Sequence, residues 1–124
     1  MKILVVDDEK DVQSLFEQLF RKEIRNGEID FVFAYSGEGA LLRLEENKHG
    51  AVLILSDINM PGMSGLELLK HIKGRYHQPP PVVIMITAYG DAENYNRAME
   101  LGADDFITKP IDFNLLKQKI KSLH

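Results

Sequence analysis

Cysteine is absent from this sequence of 124 residues. Its absence excludes disulfide bonds, thiolate metal sites and cysteine nucleophiles, and it is compatible with a reducing compartment. An excess of basic residues is also missing, since 15 lysines and arginines face 19 aspartates and glutamates and the net charge is −4. The chain therefore lacks the electropositive footprint of nucleic-acid-binding proteins, and we expect no direct nucleic-acid partner.

Long hydrophobic runs are equally absent. No segment is long and apolar enough to cross a bilayer, and the brief apolar run after Lys2 is too short for a signal peptide. We therefore expect a cytoplasmic protein without a membrane partner. Hydrophobic residues make up 44% of the chain, which is typical of a globular fold. Because no shift in composition marks a boundary, residues 1–124 are predicted to form one domain without an output domain.

Five short apolar stretches bounded by turn residues predict five buried strands. They cover residues 2–6, 29–34, 51–56, 82–86 and 103–107. Apolar residues at helical spacing follow each strand, and the first of these helices is predicted to extend to about Glu23. Because several of the strands are apolar on both faces, the pattern predicts an α/β fold whose parallel sheet is covered by helices on both sides.

Helix ends and helix cores follow from the same pattern. Helices are predicted to start at Ser36, Ser64, Asp91 and Asp112, and Gly102 is predicted to end one. The fourth helix is expected to direct one side inward, consisting of Tyr95, Ala98 and Met99, and the last helix a stripe of Leu116, Ile120 and Leu123.

Polar residues stand at or just beyond the ends of four of the predicted strands. They are Asp7 and Asp8 after the first strand, Asp57 after the third, Thr87 after the fourth and Lys109 after the fifth. Because parallel strands end at one edge of a sheet, where open α/β folds bind their ligands, we expect these side chains to converge. Taken singly, each residue has an ordinary structural role at a turn, a helix start or the surface. Their convergence favours a functional site.

Three converging carboxylates would repel one another, and a hard divalent cation resolves that repulsion. Magnesium prefers such oxygen ligands. Lys109 can pair with Asp57 or with a phosphoryl oxygen, and Thr87 offers a hydroxyl donor. The four histidines have no second ligand at metal-binding spacing and are expected at the surface; they are His49, His71, His77 and His124.

With these residues in place, the chain resembles the CheY-like receiver domains of two-component response regulators. The resemblance covers essentially the whole chain. The matching segments are Asp7-Asp8, the run SDINMPGMSG around Asp57, Thr87-Ala88, the run AMELGADDFITK, and Lys109-Pro110. It implies a flavodoxin-like fold with strand order 2-1-3-4-5.

The resemblance also implies roles for these residues. Asp57 would accept a phosphoryl group from the phospho-histidine of a sensor kinase or phosphotransfer protein. Asp8, Asp57 and the backbone carbonyl of Asn59 would bind Mg²⁺, for which Mn²⁺ can substitute, and Asp7 would act through a bound water. Thr87, Ala88 and Lys109 would bind the phosphoryl oxygens, and the bond before Pro110 is expected to be cis.

Signalling is implied to pass from Thr87 to the aromatic residue of the fifth strand, Phe106. Many receivers have tyrosine there, and Phe106 lacks its hydroxyl. The surface of the fourth helix, fifth strand and fifth helix would then control a downstream partner, a fused output domain or a second copy of the chain. Asn59 and Tyr89 are expected to flank the site, and the resemblance implies that residues at such positions influence the lifetime of the phosphate. Turnover of a free metabolite is not expected; the domain would assist only its own phosphorylation and dephosphorylation.

Three other functions share part of this pattern. A Mg²⁺-dependent aspartyl-phosphate phosphohydrolase of the haloacid dehalogenase type carries D-x-D-x-T, whereas residues 57–61 lack the second acid and the threonine. A flavin mononucleotide carrier needs a phosphate-binding loop after the first strand, where Asp7-Asp8-Glu9 would repel phosphate. A pseudo-receiver would bind partners without phosphorylation, and the presence of Asp57 and Lys109 argues against it.

Overall fold

The protein forms a five-stranded parallel sheet with helices on both faces. The computed structural model describes residues 1–46, 51–75, 81–88 and 92–123. The strands are β1 (Lys2–Val6), β2 (Asp30–Ala34), β3 (Ala51–Asp57), β4 (Val82–Ala88) and β5 (Asp105–Lys109). Their order is β2-β1-β3-β4-β5, and every neighbouring pair is parallel. The predicted α/β, flavodoxin-like fold and its strand order are confirmed.

The helices are α1 (Asp11–Leu19), α2 (Arg21–Arg25), α3 (Gly37–Glu46), α4 (Gly65–Arg75), α5 (Ala92–Glu100) and α6 (Phe113–Lys121). The first predicted helix is thus two helices, since the backbone departs from helical geometry at Phe20, with φ −109° and ψ 20°. The Phe20 ring is fully buried, and we attribute the bend to its packing against Phe16 and Phe31. The fourth and fifth predicted helices correspond to α5 and α6.

Each face of the sheet has its own core. Alternate side chains of β1 and β3 point to opposite faces. Ile3, Val5, Leu53 and Leu55 pack against α1 and α6, on what we call the α6 face. Leu4, Val6, Ile54 and Ile58 pack against α3, α4 and α5, on what we call the α4 face. The α6 face also holds a cluster of aromatic rings in mutual contact, made of Phe16, Phe20, Phe31, Phe33 and Phe113.

Most predicted helix ends are confirmed. The Ser36 hydroxyl accepts a hydrogen bond from the Gly39 amide at 2.9 Å, and the Ser64 hydroxyl accepts one from the Glu67 amide at 3.2 Å. Asp112 accepts from the amides of Asn114 and Leu115, and Gly102, with φ +97°, ends α5. The predicted start at Asp91 lies outside the described residues.

Two predictions about the last elements were wrong. Strand β5 begins two residues later than predicted, because Asp104 is engaged at the start of β4, where its amide and carboxylate bond the backbone of Val83. Three residues of the predicted core stripes, Tyr95, Met99 and Leu123, are 45%, 40% and 40% exposed. Tyr95 and Met99 lie in α5, and Leu123 lies beyond the end of α6. Of the six residues predicted for the two core stripes, Ala98, Leu116 and Ile120 belong to the core. Within the described ranges, no helix has the length and apolar character needed to span a membrane.

Candidate functional site

Three residues of the candidate site share one face and one edge of the sheet. Asp7 follows β1, Asp57 ends β3 and Lys109 ends β5. Each lies two residues after a residue of the α6-face core, namely Val5, Leu55 and Ile107. Because side chains alternate along a strand, Asp7, Asp57 and Lys109 belong to the α6 face at the carboxyl edge. The fold therefore brings together residues that are far apart in the chain.

Asp8 adds a third carboxylate, and the four charged groups are close enough to act together. The Lys109 Nζ atom lies 3.0 Å from Asp57 Oδ2 and 3.8 Å from Asp7 Oδ2. One carboxylate oxygen from each of Asp7, Asp8 and Asp57 lies within 4.8 Å of the others. Asp7 and Asp57 are only 6% and 4% exposed, whereas Asp8 is exposed to solvent. The result is an acidic site in which the Lys109 ammonium contacts two of the three carboxylates.

Burial and charge shift two pKa values in this site. Burial raises the pKa of Asp7, and the charges of Asp57 and Glu9 add to that rise, while the Glu9 amide and Lys109 oppose it. For Lys109, burial alone would lower the pKa. The hydrogen bond and charge of Asp57, with the charges of Asp7 and Glu9, outweigh burial and raise it. Lys109 is therefore held as a cation at neutral pH, and an ionised Asp7 carries an energetic cost.

The backbone of Asp57 is fixed on several sides. Its carbonyl accepts a hydrogen bond from the buried Ser56 hydroxyl at 3.0 Å, and Oδ1 faces the Asn59 amide at 3.4 Å. The Ile58 amide donates to Ile86 O in β4. Gly65 packs directly on this segment, since a Cβ atom there would stand 2.1 Å from Asp57 O. The start of α4 thus closes over the strand end that carries Asp57.

Thr87 and Phe106 belong to the opposite face from Asp57. Thr87 follows Met85 by two residues, and Met85 is paired in register with Phe106. Both Met85 and Phe106 pack in the core of the α4 face. The Thr87 hydroxyl is fully buried and has no hydrogen-bond partner in the described structure. Phe106 is half-buried, and its ring packs edge-on against Tyr95 with the ring centroids 5.0 Å apart.

The remaining predicted site residues are placed as follows. Asn59 is exposed just after β3, and the peptide bond between Lys109 and Pro110 is cis. Ala88 ends β4, but its side chain, like all of Tyr89, lies outside the described residues. Of the histidines, His71 is exposed as expected, whereas His49, His77 and His124 lie outside the described residues.

Sequence reasoning missed three residues that shape the site. The Glu9 amide donates to Asp7 Oδ1 at 2.9 Å and fixes that carboxylate. Ser56 and Gly65 hold the Asp57 backbone. A serine inside an apolar strand and a glycine in the first turn of a helix are both uncommon, so each could have indicated a special role from the sequence.

The donor set fits a hard divalent cation. Three carboxylate oxygens within 4.8 Å of one another concentrate negative charge that one lysine does not balance. Oxygen ligands from one or two carboxylates are the usual magnesium environment. Two of the three acids are buried, so water alone neutralises their charge poorly.

Comparison with known proteins agrees with this geometry. The model of the response regulator receiver domain family matches residues 3–121. A cyclic di-GMP phosphodiesterase of Thermotoga maritima is 36% identical over 120 residues, which are 97% of this chain and 30% of that protein. The chain therefore spans less than a third of that relative.

Two solved structures are similar over nearly their whole length. A receiver domain protein from Clostridium thermocellum has a TM-score of 0.84 and 29% identity, with 98% of this chain and 91% of that chain covered. The receiver domain of NtrX from Brucella abortus has a TM-score of 0.81 and 30% identity, with 97% and 95% covered. This chain belongs to the response regulator receiver domains, the phosphorylation-dependent signalling domains of two-component systems.

Proposed function

We propose that Asp57 is the phosphoryl acceptor of this receiver domain and that residues 1–124 act as one switch unit. The observation that carries the proposal is the Asp57 carboxylate, nearly buried, 3.0 Å from the Lys109 ammonium and grouped with Asp7 and Asp8. Asp7 is also buried in this group, but it lies farther from the ammonium, at 3.8 Å. A rigid strand end holds Asp57, so its reacting oxygen keeps a defined position.

The transfer step conserves atoms and charge in a simple way. A carboxylate oxygen of Asp57 attacks the phosphorus of a phospho-histidine, and an O–P bond forms as the N–P bond breaks. The leaving imidazole nitrogen keeps the electron pair of the broken bond. The Lys109 ammonium, now on Asp57 Oδ2, is placed to follow the arriving charge onto a phosphoryl oxygen. Attack of water on phosphorus later restores the carboxylate.

Asp8, Asp57 and the Asn59 carbonyl would hold Mg²⁺, or Mn²⁺ in its place, with Asp7 acting through a water. The bound metal would neutralise charge on the acids and the phosphoryl oxygens. Lys109 supplies the permanent cation of the site. The Glu9 amide fixes the Asp7 carboxylate, so Asp7 would hold its water in a defined position.

Thr87 is the proposed link between the phosphoryl group and the signalling surface. Among the described residues its buried hydroxyl has no hydrogen-bond partner, and a phosphoryl oxygen at the same edge, near the Ala88 amide, would supply an acceptor. Thr87 and Phe106 share the α4 face, so movement of Thr87 changes the space next to Phe106. The surface of α5, β5 and α6 then responds, and we propose that a downstream protein, a fused output domain or a second copy of the chain reads it.

The direct test is phosphorylation by acetyl phosphate with Mg²⁺, followed by intact-protein mass measurement. We expect the mass of one phosphate on the wild type, removed by hydroxylamine as for an acyl phosphate. Asp57→Asn should gain none. Asp30→Asn is the matched control, since Asp30 is exposed at the start of β2, at the opposite edge of the sheet. Equal modification of Asp57→Asn and the wild type would refute the assignment, and an unmodified wild type would favour a pseudo-receiver.

A second measurement tests the switch. The phosphate mimic beryllofluoride should shift the amide resonances of Thr87 and Phe106 as well as those next to Asp57. Changes confined to the neighbours of Asp57 would contradict the proposed link. Steady hydrolysis of generic phosphate esters would instead favour the phosphohydrolase alternative.

A further inference from the structure

A cavity lies at the amino edge of the sheet, at the other end of the strands from Asp57. It has a volume of about 330 Å³ and is bounded by α2, the turn before β2 and the end of α6. The Phe20 ring, Ile29 and Ile120 form its apolar floor. This volume is within the range of small-molecule sites. The proposed phosphoryl transfer uses none of these residues, and three of them, Lys117, Ile120 and Lys121, belong to α6.

The Glu23 carboxylate in the wall of this cavity is incompletely satisfied. Its side chain is only 12% exposed, and Oε2 lies 3.4 Å from the Lys117 Nζ atom. The other oxygen, Oε1, is fully buried and accepts no hydrogen bond in the described structure. Burial alone would raise the pKa of Glu23, but its own amide and the charges of Lys117 and Lys121 outweigh burial and lower it. A charged oxygen without a donor is therefore buried beside an apolar floor.

Lys117 covers this carboxylate. Its ammonium stands 5.1 Å from the centroid of the Phe20 ring, while its side chain keeps 30% exposure. The ion pair with Glu23 and the cation–π contact with Phe20 are both weak because Lys117 is partly solvated. Its ammonium would be hydrated by water if the side chain moved away from them. Movement of Lys117 would open the ring face of Phe20 and give access to Glu23. Lys117 thus lines the cavity between the Glu23 carboxylate and the Phe20 ring.

We propose that this cavity binds a small, flat, uncharged molecule with one N–H or O–H donor, of the size of indole. Flatness follows from the ring face and the branched side chains of the floor, and size from the volume. The ligand's donor would supply the hydrogen bond that Glu23 Oε1 does not receive from the described part of the chain. Neutrality follows from the rim, where the charges of Glu23 and Glu28 balance those of Lys117 and Lys121.

Indole and 1-methylindole are the matched probes, since they share shape and apolar area and differ in the N–H donor. In an amide NMR titration, indole should cause saturable shifts at Phe20, Glu23, Ile29 and Ile120. It should bind at least about tenfold more tightly than 1-methylindole, because a hydrogen bond to a charged acceptor is lost. Equal affinities, unsaturable shifts or shifts scattered over the surface would overturn the proposal.

Variants separate the site from non-specific binding. Glu23→Gln keeps the side-chain shape but removes the charge, so the preference for indole should shrink at least threefold. Ile29→Trp should fill the cavity and remove the binding of both probes. Glu17→Gln, on the exposed surface of α1, is the control and should bind indole like the wild type. Indole binding unchanged in both cavity variants would refute the site, whatever the outcome at Asp57.

Discussion

Substitution of alanine for glycine should have opposite effects on stability at two positions of helix α4. A Cβ atom at Gly65 would lie 2.1 Å from Asp57 O and 2.7 Å from Ile58 Cα, both backbone atoms. A Cβ atom at Gly74 would meet nothing within 4 Å. Since ordinary carbon–oxygen contacts start near 3 Å, alanine at residue 65 forces the start of α4 to retreat by about 1 Å in a close-packed region.

The expected magnitudes follow from these contacts. Gly65→Ala should cost about 1–3 kcal/mol of the free energy of unfolding, as overpacking of a core does. Gly74→Ala should gain about 0.5–1 kcal/mol, because alanine is the better helix former at an exposed position. The two variants should therefore differ by about 1.5–4 kcal/mol. With a urea m-value of about 2 kcal/mol/M, that separates their midpoints by about 0.8–2 M.

Urea unfolding followed by circular dichroism measures the difference, and acetyl phosphate labelling measures its effect on the site. Gly65→Ala should also be phosphorylated more slowly, because the retreat of α4 disturbs the strand end that carries Asp57. Gly74→Ala should be labelled at the wild-type rate. If Gly65→Ala unfolds within about 0.5 kcal/mol of the wild type, the close packing of α4 on Asp57 is not what fixes this strand end.

Three further predictions concern single side chains. Lys109→Gln should slow phosphorylation of Asp57 strongly and, without Mg²⁺, cost roughly 1 kcal/mol of stability, a value discounted because Lys109 is 35% exposed; an unchanged labelling rate would contradict its role. Asp7→Asn should stabilise the chelator-treated protein at pH 7. The folded state raises the pKa of Asp7 above its ordinary 3.8, so the stability that Asp7 contributes falls as pH rises through that raised value. Urea titrations at several pH values should show that the free energy of unfolding of the variant lacks this decline. The same dependence on pH in both proteins would contradict the prediction. Asp112→Ala should cost about 1 kcal/mol through loss of the α6 cap while leaving acetyl phosphate labelling unchanged, and slower labelling would show that the cap also supports the site.

The sheet was predictable because its strands carry their own signals. Apolar runs such as residues 2–6 and 82–86 are bounded by turn residues, and apolar character on both faces indicates a covered parallel sheet. Convergence at the carboxyl edge then follows from strand direction alone, so Asp7, Asp57 and Lys109 could be grouped before any coordinates. Helix N-caps such as Asp112 could also be predicted, because a cap depends on hydrogen bonds to residues close in the sequence.

The features that could not be predicted depend on contacts between distant residues. The bend at Phe20 arises where its ring meets Phe31 of β2, and periodicity along one helix does not record that contact. The late start of β5 depends on Asp104 bonding Val83 across the sheet. The role of Gly65 depends on the approach of α4 to Asp57. Each of these three features depends on a residue far away in the sequence, which local sequence patterns cannot identify.

The uneven distribution of aromatic rings has a practical consequence for spectroscopy. The chain has no tryptophan, and five of its six phenylalanines cluster between the sheet and helices α1 and α6. Ring currents will therefore disperse the methyl resonances of Ile3, Val5 and Ile107, whereas those of Leu4, Ile54 and Leu68 on the other side are shifted less. One methyl spectrum can thus distinguish an event beneath the aromatic cluster from one beneath the aliphatic core, without any engineered label.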